Sequence, residues 1–277
     1  MFVDVHTHLG RIFYGRRRLT AGGLLRWMDR HDVERACVMA VENPEETHFY
    51  ATTEDILRWT KRHRDRLLPF CSIDPRRGCR DAADFKPILE DYVARGAVGF
   101  GEMLAVLPIN DPRLKRIYGM CAALKLPVML HVGSFGGVDL RGLPYLEEIC
   151  REFPRTRFIG HAQFFWSEIS GKVSPRTRGG YPKTPVAPGG RLGALLSKYP
   201  NLYADLSAGS GANALSRDLP HARDWLIAHR RKVCFGSDYL APGQRVPQFD
   251  VLGSLDLPKP VFEAVARGNA RRLLRLR

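Results

Sequence analysis

The chain has 277 residues, the length of one large domain or two small ones at roughly 150 residues per domain. Its 44% hydrophobic and 26% charged residues fit an ordinary globular protein, and the sequence has no apolar run near the roughly 20 residues that span a bilayer, which excludes a membrane protein. The net charge of +14 comes from 34 Arg and 9 Lys spread through most predicted helices, so it gives diffuse attraction to phosphates and disfavours a dedicated nucleic-acid partner.

The first residues, Met1-Phe2-Val3-Asp4-Val5-His6, put an acid and a histidine where a secretory leader needs its apolar segment, so a cytoplasmic protein is expected. Six cysteines, at 37, 71, 79, 121, 150 and 234, lack CxxC spacing. They read as reduced, buried thiols.

Apolar, β-branched or aromatic runs recur at Phe2–His6, Arg35–Val41, Leu67–Ile73, Ala97–Met103, Pro127–Gly133, Arg157–Ala162, Asn201–Ser207 and Lys232–Tyr239. Their starts lie 30 to 33 residues apart, except for one interval of 44. A βαβ unit needs about that much chain, so the pattern predicts parallel strands with a helix after each. The predicted helices are Leu24–Arg30, Glu54–His63, Asp84–Ala94, Leu114–Leu124, Leu143–Glu152, Arg191–Lys198, Leu215–His229 and Val261–Leu274, from apolar residues at three- and four-residue steps. Asp111-Pro112 reads as an N-cap followed by Pro at the first helical position, Asp84 and Asn213 as further starts, and Gly96 as a helix-ending glycine. Eight such units predict an α/β fold, a single (β/α)8 barrel over 1–277; an open doubly wound sheet is the alternative, without a GxGxxG after its first strand.

The long interval holds Gln163-Phe164-Phe165-Trp166 and then a stretch rich in Gly, Pro, Lys and Arg. It follows a strand, so a lid over the mouth is expected at 163–190. Lys172, Arg176, Arg178 and Lys183 would then favour an anionic small-molecule substrate, with Trp166, Arg178 and Tyr181 as candidate substrate contacts.

Strand ends carry the chemistry. The first ends Asp4-Val5-His6-Thr7-His8, and alternation puts Asp4, His6 and His8 on one face. The others end at Glu102, His131, His161 and Gly236-Ser237-Asp238, while the remaining five histidines lie in polar helical or loop stretches. A lone histidine or acid at one strand end is ordinarily a hydrogen-bonded rim residue or a helix cap. Four imidazoles and two carboxylates converging on one mouth suit a divalent cation of zinc type. Asp205 and Ser207, ending the seventh strand, would orient substrate, orient a histidine, or cap the next helix. The sequence gives a Ser/His/Asp hydrolase little support for want of a GxSxG, and no P-loop occurs.

This order resembles the metal-dependent amidohydrolase superfamily: HxH on strand 1, an acid on strand 4, His on strands 5 and 6, Asp on strand 8. Val3 to His8, Phe158 to Ala162, Leu202 to Ser207, Phe235 to Asp238 and Gly268 to Leu274 are similar to its amidohydrolase-related family 2. The resemblance implies metal ligation by His6, His8, Glu102, His131, His161 and Asp238, with Asp238 the catalytic proton acceptor. It also implies that a strand-4 acid bridges two ions, the first on His6, His8 and Asp238, the second on His131 and His161. Glu102 would be the bridge, on the same inward face as Val98 and Phe100, with a second-layer partner role or a single ion as the alternative. Hydrolysis of a small ester, lactone or amide is the implied reaction. Non-oxidative decarboxylation of an aromatic or unsaturated acid and TatD-like phosphodiester cleavage are the alternatives. Substrate, metal and oligomeric state are not legible.

Overall fold

A computed structural model describes every residue except 44, 46, 79–84 and 277. Cys79 and the helix start expected at Asp84 lie outside the described residues.

Eight parallel strands form the barrel in sequential order: β1 (Phe2–Thr7), β2 (Val33–Val38), β3 (Leu67–Cys71), β4 (Gly99–Met103), β5 (Val128–His131), β6 (Phe158–His161), β7 (Leu202–Asp205) and β8 (Val233–Cys234). Each of the eight predicted runs overlaps a strand. The short β8 is extended by loop backbone that closes the circle on β1: Val5 N–H donates to Phe235 O at 3.0 Å, His8 N–H to Tyr239 O at 3.0 Å, and Asp238 N–H to His6 O at 2.9 Å. The fold is therefore a (β/α)8 barrel.

The outer helices follow from their apolar faces and caps. In α1 (Ala21–Arg30), Thr20 accepts from Gly23 N–H and Leu24, Trp27 and Met28 face the strands. Helix α2 (Thr53–Thr60) starts with a capping box between Thr52 and Asp55. Then come α3 (Lys86–Ala94), α4 (Pro112–Leu124) and α5 (Pro144–Glu152). Asp111 caps α4 as expected, and Gly96 leaves α3 at φ +102°. Inside the barrel, Cys37, Met39, Leu68, Phe70, Met129, Ile159 and Cys234 belong to one apolar cluster that supports the site from below. The five described cysteines are free and buried.

Three expectations change in the second half. Between β6 and β7 lie α6 (Gln163–Ser167), α7 (Pro175–Arg178) and α8 (Arg191–Lys198). The helix expected over Leu215–His229 is two helices, α9 (Ala208–Ser216) and α10 (Leu219–Ala228), because Asp218 caps a new start and Pro220 cannot continue the old one. Asn213 thus lies inside α9, its amide donating to Pro182 O at 3.1 Å. The chain ends through α11 (Gln248–Ser254), α12 (Lys259–Glu263) and α13 (Asn269–Leu274), with a π-helical turn between the last two.

The 163–190 segment, expected as a lid, is tied to its neighbours on two sides. Arg178 donates to Asp139 O at 2.7 Å and Arg141 to Val173 O at 3.3 Å on the α5 side. Asn213 and Val186 N–H, which donates to Asp218 at 3.0 Å, tie it to α9 and α10. Among the described residues, no helix is long and apolar enough to cross a membrane.

Candidate metal centre

His6 sits at the focus. Its Nδ1 lies 2.8 Å from Asp205 Oδ2, an acceptor, so Nδ1 donates there and Nε2 faces the barrel mouth. Around that Nε2 stand His8 Nε2 at 3.1 Å, Glu102 Oε2 at 3.2 Å and Asp238 Oδ1 at 3.8 Å. His8 Nε2 is 3.1 Å from the same Asp238 oxygen. His6, His8 and Asp238 thus form one set of convergent donor atoms, and His6, Glu102 and His161 a second.

Glu102 stands between two imidazole pairs. Its Oε2 faces His6 and His8, the latter at 3.5 Å, while Oε1 lies 2.7 Å from His131 Nδ1 and 3.8 Å from His161 Nε2. It does not reach the mouth by simple alternation. Phe100 pairs with Val128 and Met103 with Leu130, so β4 has one residue more than β5 over this step. Phe100 packs outward against the helices, in the cluster of Tyr118 and Phe158, and the bulge turns Glu102 inward. Gly101 makes the bulge possible: its φ is +125°, and a Cβ there would lie 2.7 Å from Met129 O.

Behind the donors runs a buried relay of oxygens. Ser207 Oγ donates to Asp205 Oδ2 at 2.6 Å and stands 2.9 Å from His161 Nδ1. Asp205 Oδ2 is also 3.1 Å from that Nδ1. Both residues are fully buried, so they hold histidine rings and are closed to substrate. Gly236 lets β8 approach them, since a Cβ there would fall 2.0 Å from Asp205 Oδ1. On β1, Asp4 accepts from the N–H groups of His6 and Ser237, each at 3.0 Å, and so locks strands 1 and 8 together. The role of Ser237 was not read from the sequence.

The electrostatics favour a cation. Burial pulls the His6 imidazole down, but Glu102 and Asp205 outweigh it and hold it well above the ordinary histidine range. Burial pushes Glu102 up, and the imidazoles of His6 and His131 drive it well below the usual carboxylate range. A centre that attracts a proton this strongly between carboxylates attracts a divalent ion for the same reason, and buried imidazole nitrogens facing each other at 3.1 Å are chemically suited to share one. The donor set fits the metal.

Asp238 differs from the other donors in being open, with 21% of its side chain exposed against 6% for Glu102. Its backbone is left-handed at φ +54°, held by Gln244 Nε2 donating to its carbonyl at 2.7 Å. It lines a cavity with His8, Glu102, His131 and His161; the rest of the wall is Ile12, Phe13, Val41, Thr47, Leu104 and Leu240. This wall comes from the loops after β1, β2, β4 and β8, for which the sequence carries no motif.

The expected lid contacts lie elsewhere. Trp166 is buried, its indole N–H donating to Asp205 O at 2.9 Å. Arg178 stacks on Phe164, 4.0 Å from the ring centroid, and Tyr181 stands exposed over Gly209. None of the three is among the residues that line this cavity.

Fold and site together define a (β/α)8 enzyme scaffold with its chemistry at the C-terminal mouth. The chain belongs to the amidohydrolase family, whose model matches residues 3–276. The structure is similar to an amidohydrolase from Burkholderia multivorans with bound zinc, at TM-score 0.68 and 15% identity over 100% of both chains. It is also similar to a probable 2-pyrone-4,6-dicarboxylic acid hydrolase from Acinetobacter baumannii with citric acid bound, at TM-score 0.67 and 13% identity over 99% of each chain. A third likeness is to 5-carboxyvanillate decarboxylase from Sphingomonas paucimobilis, at TM-score 0.64 and 15% identity over 100% of both chains. No curated protein matches the sequence. The family supports an enzyme, and these neighbours support the fold.

Proposed function

We propose that this chain is a metal-dependent hydrolase of a small ester, lactone or amide, with His6, His8, Glu102, His131, His161 and Asp238 as the ligand set and zinc as the ion. The observation that carries the reading is the convergence of His6, His8, Glu102 and Asp238 on one point, with the far nitrogen of His6 fixed by Asp205. A bound divalent cation would supply Lewis acidity and lower the pKa of water to about 7. Asp238, the open carboxylate, accepts the proton of the attacking water and returns it to the departing oxygen or nitrogen. Asp205 and Ser207 keep His6 and His161 in the tautomer that presents Nε2. Glu102, with one oxygen toward each imidazole pair, would be the ligand shared if two ions bind.

One observation favours decarboxylation as a second reading. Both convergent donor sets include His6, and one imidazole common to both suits a single-metal site. The test is a screen of zinc-loaded protein on esters, lactones, amides and aromatic carboxylic acids. Acid release from an ester or lactone with no carbon dioxide supports hydrolysis. Carbon dioxide from the acids alone overturns it in favour of decarboxylation.

A further inference from the structure

The cavity has two unlike sides. One is the imidazole and carboxylate cluster. The other is built by Ile12, Phe13, Val41, Leu104 and Leu240, with the hydroxyl of Thr47 between them. Val41 and Leu104 are fully buried and Phe13 and Leu240 are half-buried, so the wall is firm at its base and open at its rim. It is also braced: the N–H groups of His48 and Phe49 both donate to Ile12 O, at 3.1 and 3.2 Å, which fastens the loop after β2 to the loop after β1. Leu240 N–H donates to Gln244 Oε1 at 3.0 Å, and that same side chain holds the Asp238 carbonyl. One glutamine therefore couples the wall to the candidate base.

From this wall we infer the substrate class: a small molecule whose reacting group faces Asp238 and whose body is a neutral, apolar ring, aryl or alicyclic, laid against Phe13 and Leu240. The inference rests on the reading of the opposite side as a metal centre, and holds for either chemistry proposed above. Apolar side chains gain by covering an apolar ring, and an aromatic rim residue gains further from ring contact. A second carboxylate on the ring would be pressed out of water against Ile12, Val41 and Leu104, whose side chains offer it no hydrogen-bond donor. The site would then reject ring-carboxylated analogues, unlike an enzyme built for a dicarboxylic acid.

Calorimetry on the full-length, zinc-reconstituted protein tests this with three hydroxamates. Benzohydroxamate is expected to bind at least tenfold tighter than 4-carboxybenzohydroxamate, and at least tenfold tighter than acetohydroxamate, which has no ring. Phe13→Ala should weaken benzohydroxamate at least fivefold and leave acetohydroxamate unchanged. Leu240→Lys should reverse the order of the two aryl probes; its fold is checked by its thermal midpoint. Equal or tighter binding of the carboxylated probe, or equal binding of the ringless one, overturns the inference. A metal-free arm separates this from failure of the metal reading: saturation-transfer NMR should show benzamide, and not 4-carboxybenzamide, on the protein stripped with chelator. Should zinc fail to bind while benzamide still does, the metal reading falls and the wall stands. Absence of both aryl probes from zinc-loaded protein overturns the wall and leaves the metal centre.

Discussion

The strand-end donors and the 163–190 loop occupy the same rim of the barrel, yet they are held by different kinds of contact. His6, Glu102, His161 and Asp205 are buried and bonded to one another across strands 1, 4, 6 and 7. The loop is fastened to its neighbours mostly through main-chain carbonyls, as at Asp139, Val173 and Pro182. The first arrangement depends on the identity of each side chain. The second depends mainly on where the backbone passes, so it tolerates substitution and leaves little trace in residue type.

Breaking the first arrangement should cost chemistry, and breaking the second only stability. The largest effect is expected at Asp238. Asp238→Asn should reduce turnover by about a hundred- to ten-thousandfold while the metal content, read by elemental analysis, falls far less. Retained turnover would remove Asp238 as the proton acceptor.

Asp4 comes next. Burial pushes its carboxyl up to about 7, against the N–H groups of His6 and Ser237 that favour its charge. Between about pH 4 and 7 the metal-free native protein therefore holds a proton that the unfolded chain has released. Stability should fall as pH rises through that window, by a total of about 2–4 kcal/mol. Asp4→Asn should flatten this slope, read as urea midpoints at pH 5 and pH 8. A variant as pH-sensitive as the wild type would show that Asp4 does not carry it.

Asp205→Ala is expected to act more gently, because it removes the partner of a ligand and leaves the ligand in place. Zinc affinity should drop about 10- to 100-fold, measured by competition with a chromophoric chelator. An unchanged affinity would mean that His6 needs no fixed tautomer.

The smallest effect belongs to the loop. Arg178→Ala loses the bond to Asp139 O and the stacking on Phe164, about 1–2 kcal/mol in urea unfolding. Turnover should stay within twofold, and a large loss would support a lid.

These contrasts explain what was legible in the sequence. The strands and the strand-end donors recur with the period of a βα unit and the two-residue alternation of a strand, and both are local properties. Glu102 was legible as a residue and not as a geometry, since its inward turn comes from a bulge at Gly101 that simple alternation does not describe. Asp205 and Ser207 were visible as polar strand-end residues, but that they back His6 and His161 depends on how β7 stands beside β1 and β6 in the closed circle. The cavity wall was illegible for a plainer reason. Ile12, Val41 and Leu240 look like any core residues, and only the closed barrel brings their three loops to one face.

The most direct test of the central claim is a crystal structure of the zinc-loaded protein with anomalous scattering recorded at the zinc edge. An anomalous peak about 2.0–2.3 Å from His6 Nε2, His8 Nε2 and an Asp238 oxygen is the predicted result. A second peak about 3.5–4 Å from the first, on the His131 side of Glu102, would make that carboxylate the bridge. A map with no peak among these residues, at full zinc occupancy elsewhere or none at all, would contradict the account.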